Sequence, residues 1–168
     1  MAEDVHARAY RLAAFAAVLV VLAGVGVGVG FVDLPFGEER PTVTVTDEDG
    51  TRLATVSVRV ADTTLERYTG LSETESLADG EGMLFVHEEP GTYAYVMRDM
   101  AFPIDIVFVS ADGVVTRVHH APLPPPETPN SELTRYRGEG KYVLEVPYGY
   151  TNRTGIAPGD RVAIPQGY

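Results

Sequence analysis

The chain has 168 residues, 45% of them hydrophobic, enough for one cored domain and an appendage. It contains no cysteine, which excludes disulfides, thiolate metal sites and thiol nucleophiles. With 24 acidic residues against 13 basic ones, a single lysine (Lys141) and a formal net charge of -11, it lacks the cationic footprint needed to bind nucleic acid or anionic lipid headgroups. One-signed charge of this size suits a halophilic setting, where salt screens the self-repulsion.

Leu12 to Val32 reads LAAFAAVLVVLAGVGVGVGFV, 21 residues without a charge. As a helix this stretch reaches about 31 Å, the thickness of a bilayer's hydrocarbon core. No small-x-small cleavage site follows, and a lipoprotein anchor would need a cysteine. The expectation is an uncleaved transmembrane signal anchor over 12–32, with a cytoplasmic tail over 1–11. Arg8 and Arg11 precede the span and Arg40 follows it, which favours the amino terminus inside and the soluble domain outside a cell membrane crossed once. The glycines at 24, 26, 28 and 30 alternate with valine and do not form a dinucleotide loop, which needs a strand before it and a helix after it. Gly24 and Gly28 stand i, i+4. They permit either a homodimer through close helix approach or a small-residue face turned to lipid.

Residues 33–41 form a linker with two prolines, and a β domain is expected over 42–168. TVTVT and TRLATVSVRVA alternate around a DEDG turn. Thr63 and Glu66 have capping-box spacing and Gly70 fits a helix end, so one short helix is predicted over 64–69. After a polar loop, MLFVH and TYAYVM read as two strands joined by EEPG. IDIVFVSA and VVTRVHHA read as a hairpin turning at Asp112-Gly113. Pro122 to Gly140 reads as a long loop with five prolines, which either lines a site or covers a barrel end. KYVLEV is a further strand, and APGD turns into the last one, RVAI. The pattern predicts a mostly β domain, α+β at the margin: a single antiparallel β-sandwich or partly open barrel with one short helix.

The ordered pieces ERYTGLS, GMLFVHEE, YVMRDMAFPIDIVFV, ADGVV, YVLEV with Gly149, and GIAPGD together resemble the domain of unknown function 192 family, from about Val58 to Val162. The resemblance assigns Arg67, Gly70 and Leu71 to the helix motif and Gly82 to Phe85 to the Gly-Met-Leu-Phe strand. Met97, Pro103, Asp105 and Phe108 match the central block, Leu144, Glu145 and Gly149 the late strand, and Gly159 and Asp160 the closing turn. Val96 stands where the family usually has an aromatic residue, and Arg98-Asp99-Met100 replaces its usual Lys-Asn-Thr. The family is largely uncharacterised and its members are often exported or membrane-anchored, which implies a setting and no substrate.

Candidate binding residues are Arg67, Met97, Arg98, Asp99, Asp105 and Glu145. Asp105, between Ile104 and Ile106, either walls a polar pocket with Arg67 and Glu145 or is a structural ion pair or clamp tying the helix to the sheet. The structural reading is preferred, because an isolated buried carboxylate is costly and structural pairs perturb carboxylates as active sites do. Arg98-Asp99 is expected as an exposed lead-in and, with the Pro-rich loop, as the contact surface. Asp105 and Glu145 are also the only carboxylate pair that would serve a hydrolase. Met83, Met97, Met100, His87, His119 and His120 raise a copper reading, since thioether and imidazole suit Cu(I). Core packing is the simpler role for Met83. No metal, cofactor or catalytic residue is assigned, and Asn152-Arg153-Thr154 is a candidate glycosylation sequon. The leading expectation is a membrane-anchored, outward-facing binding or envelope-associated module.

Overall fold

The computed structural model describes residues 40–168. The tail, the expected anchor with Gly24 and Gly28, and residues 33–39 of the linker lie outside the described residues. Among the described residues no helix is long and apolar enough to cross a membrane.

Seven strands form one sheet: β1 (Thr42–Thr46), β2 (Arg52–Ala61), β3 (Glu81–Tyr95), β4 (Ile104–Val109), β5 (Val115–Ala121), β6 (Tyr136–Pro147) and β7 (Arg161–Ala163). Their order is β5-β4-β6-β3-β2-β1-β7. Two short α-helices accompany them, α1 (Thr64–Thr69) and α2 (Tyr150–Thr154), with a 3-10 turn at Asn130–Glu132. The sheet curls into an open half-barrel. Its edge strands meet at one end, where Val114 bridges Arg161 and the Val162 N–H donates to Gly113 at 2.7 Å.

The expected architecture is corrected on three points. Of the two expected forms the partly open barrel is found, as one curled sheet, and the sandwich is not. The sheet is mixed and not purely antiparallel, since β2 runs parallel to β3 with Ser57 opposite Glu81. A parallel pair needs a crossover, supplied by α1 and the polar loop after it. A second α-helix, α2, is also present.

Strand limits differ too. MLFVH and TYAYVM are not a hairpin but two halves of β3, and both pair with β6 across a register shift between Val86 and Gly91. β6 therefore begins at Tyr136, inside the expected loop. Gly138 makes that arm of β6 possible: a Cβ there would collide with the Phe108 ring. By contrast α1 forms as its caps predict. The Thr63 hydroxyl accepts from the Glu66 N–H, the Glu66 carboxylate accepts from the Thr63 N–H, and Gly70 ends the helix at φ 52°.

Alternation sorts the core into two layers. Val56, Val58, Leu84, Val107, Leu144 and Val146 fill the inside of the curl. Met83, Phe85, Ile104, Ile106, Phe108 and Val143 face outward and are covered by Leu71 and Met97 from the connecting segments. The sheet thus has no bare face at its centre, and β4 is buried at all six positions.

Candidate functional site

Neighbouring strands fix where the two candidate carboxylates go. In the β4–β6 ladder Asp105 stands opposite Val146, and Ile106 opposite Glu145. Directly paired residues share a face, so Asp105 turns into the curl and Glu145 turns outward. Asp105 and Glu145 therefore do not form a pair, and cannot flank one scissile bond or share a pocket with Arg67. The barrier between them is the sheet itself.

Asp105 is fully buried and saturated with donors. Its Oδ1 accepts from His120 Nδ1 at 2.7 Å and from the Gly149 N–H at 3.0 Å. Its Oδ2 accepts from the Thr151 N–H at 2.9 Å and from the Thr151 hydroxyl at 2.7 Å. Gly149 is the N-cap of α2 and has no side chain to cap with, so Asp105 supplies that function from across the sheet. Burial pushes the Asp105 carboxyl up, but the bonds from His120, Thr151 and Gly149 outweigh it and hold it below the ordinary value. Asp105 is a clamp on α2 and not on α1.

Glu145 has the opposite surroundings. It is 6% exposed, packed on the outer layer beside Met83 and Ile106, and no hydrogen bond or ion pair from a described residue reaches its carboxyl. Burial alone pushes that carboxyl up to about 8. It lines a pocket of about 230 Å³ bounded by Arg67 and Gly70 of the α1 region, Phe85 and Tyr95 of β3, and Arg98 beyond β3.

The pocket wall carries a polar pair that the sequence did not single out as such. His87 Nε2 lies 3.0 Å from the Tyr95 hydroxyl, and the imidazole stacks on Tyr93 with centroids 3.4 Å apart. Burial, with Arg67 nearby, pushes His87 down to about 4, so it is neutral near pH 7. The register shift in β3 brings His87 and Tyr93 together, and nothing in the local sequence announces it. The Tyr95 hydroxyl is pushed up, first by burial and then by Glu145.

The remaining candidates disperse. Arg67 is half-buried and donates to the carbonyls of Asp62 and Val86, which ties α1 to β3. Arg98 is not an exposed lead-in. It is three-quarters covered, lies 4.0 Å over the Tyr68 ring and donates to the Tyr68 carbonyl. Only Asp99 is exposed, at a turn with φ 55°. Met97 is buried core. The Pro-rich segment packs Leu133 down and encloses a separate small cavity against Met97. Asn152 is exposed on α2.

Copper ligands do not assemble. Met83 and Met97 are in the outer core, His119 bonds the Arg137 carbonyl and His120 bonds Asp105. Among the described residues no group of three or more His, Cys, Asp or Glu is arranged to hold a metal ion.

A curled mixed sheet with short helices, and a pocket over its outer face at Glu145, describes the class. The domain of unknown function 192 family, DUF192, described as an uncharacterised ACR, matches residues 44–164, and the chain belongs to it. Two solved structures are similar, each with a TM-score of 0.64. A protein of unknown function from Novosphingobium aromaticivorans DSM 12444 is 33% identical, over 73% of this chain and 84% of that one. A provisionally assigned transcription regulator from Sinorhizobium meliloti 1021 is 28% identical, over 73% of this chain and 91% of that one. No curated protein matches the chain.

The two carboxylates predict opposite responses. Asp105→Ala should cost about 3 kcal/mol at pH 7, because it orphans the buried N–H and hydroxyl of Thr151; that is roughly a 10 °C fall in Tm. The folded carboxyl sits below its unfolded value, so this contribution is present above the ordinary 3.8 and fades as pH falls through the folded value. An unchanged Tm at pH 7 would contradict the clamp. For Glu145 the folded value is raised, from 4.5 to about 8, so wild-type stability declines as pH rises between those values and levels off above. Glu145→Gln should therefore gain on wild type across that window, by at most about 1.4 kcal/mol per pH unit. Parallel pH profiles for the two proteins would show that Glu145 is not held neutral.

Proposed function

We propose that the protein is a membrane-anchored, outward-facing binding module whose ligand seat is the Glu145 pocket. Residues 12–32 serve as the signal anchor, 33–41 as the linker and 42–168 as the extracytoplasmic domain. The anchor reading is supported by 21 uncharged residues with arginines before them. The acidic composition suits work in high salt.

The observation that carries the binding role is Glu145. An acid held on a sheet face with no donor from a described residue, its carboxyl opening only onto the pocket, weakens the fold. A group of that kind at the floor of a pocket marks a functional site. Residues that carry the family resemblance gather at the same place: Arg67, Gly70, Leu71, Phe85 and Glu145 all line this pocket. The hydrolase alternative loses its carboxylate pair to the two faces of the sheet. The copper alternative keeps only Met100 and His87 at the pocket, and the His87 Nε2 is engaged by Tyr95.

Two measurements test the proposal. The full chain expressed in a bacterial host should stay in membranes through alkaline carbonate washing and be digested by protease added outside; recovery in the soluble fraction would sink the anchor. A thermal-unfolding screen of the detergent-solubilised chain against small anionic, neutral and cationic compounds should find a stabiliser. At a hundred times its Kd a ligand adds about 2.7 kcal/mol, a shift of several degrees. The pocket-filling variant Ser72→Trp should lose that shift, while an equal shift in variant and wild type would put the ligand elsewhere.

A further inference from the structure

We infer that the Glu145 pocket takes an organic carboxylate, with the Glu145 carboxyl donating its proton to the ligand and Arg67 and Arg98 supplying the counter-charge. This rests on the pocket being the ligand seat and names the chemistry it selects. The charged groups that line the pocket with Glu145 are Arg67 from α1 and Arg98 from the turn after β3, the latter 3.8 Å from the exposed Asp99 carboxylate. His87, Tyr93 and Tyr95 line the pocket from β3, and Tyr68 and Ser72 from the α1 region. β4 contributes Ile104, and among the described residues no acid other than Glu145 lines the space. Burial holds His87 neutral and keeps Glu145 protonated at pH 7. The pocket is therefore a cationic spot, with one buried O–H donor, in a chain of net charge -11.

That combination discriminates by charge. A cation would meet two guanidinium groups and, among the described residues of the lining, no ionised carboxylate. A neutral amide can accept a hydrogen bond from the Glu145 O–H but gains no ion pair with the arginines. A carboxylate gains both, through an acid–carboxylate bond that shares one proton between two carboxyl groups, as in paired-carboxyl sites. Leu71, Phe85, Met100 and Ile104 leave an apolar lining for the body of the ligand. A cavity of about 230 Å³ suits a small acid or the last side chain and carboxylate of a peptide.

Isothermal titration calorimetry on the full chain in detergent tests this with benzoate, butyrate and the peptide Ala-Ala-Phe, each beside its amide, and with benzylammonium. At pH 6.5 at least one carboxylate should bind ten-fold or more tightly than its amide, and benzylammonium should give no binding heat. Preference for benzoate or butyrate identifies a free acid; preference for the peptide identifies a chain end. Above pH 8 wild-type affinity should fall about ten-fold per unit, and Glu145→Gln should abolish that dependence. Arg98→Ala should weaken binding at every pH. Should Glu145→Gln fail to fold, the acid-to-amide ratio and the wild-type pH profile decide alone. Equal binding of acids and amides, or a preference for benzylammonium, would overturn the carboxylate while leaving the pocket as the seat. Binding by no probe of any class would overturn both.

Discussion

β6 exchanges backbone hydrogen bonds with β3 along one flank and β4 along the other, and that double pairing sets the register of the domain. Because β6 is paired on both sides, a slip of one residue would turn Leu144 and Val146 out of the inner core and drive Glu145 into it. Burying a second carboxyl among Val56, Leu84 and Val107, away from the donors that satisfy Asp105, is the cost that opposes such a slip. The pocket follows directly: Glu145 emerges on the outer face, and α1 and the turn beyond β3 close over it.

The two buried acids show how surroundings divide one chemistry into two roles. Asp105 is surrounded by donors, stays ionised and fixes α2 where Gly149 has nothing to cap with. Glu145 is buried with no donor from a described residue on its carboxyl, and that burial pushes it up to about 8. The first strengthens the fold through its hydrogen bonds, and the second weakens it. A destabilising acid aimed into a pocket has its physical account in what the pocket binds, since a ligand that accepts its proton restores the missing partner.

Much of the fold was legible where the signal was local. The α1 caps, the Asp112-Gly113 turn and the alternation of β1 and β2 depend on neighbours within a few residues, and each forms as the spacing predicts. The failures are non-local. EEPG carries turn residues, yet the chain runs on as β3 because both halves find β6. α2 went unseen because its cap, Asp105, lies 46 residues from Thr151. The candidate site was half legible. Arg67, Arg98 and Glu145 were named from composition and resemblance, but the partition of Asp105 and Glu145 onto opposite faces depends on which strands pair. The roles of His87 and Tyr95 depend on a bulge.

The central claim is that Glu145 is an uncharged acid at neutral pH. Its most direct test is a site-resolved titration of the side-chain carboxyl carbon by NMR in the full chain, with Glu145→Gln used to assign the signal. The account predicts a midpoint near 8. A midpoint near the ordinary 4.5 would mean that Glu145 is solvated or paired, and would remove the physical basis of the pocket's selectivity.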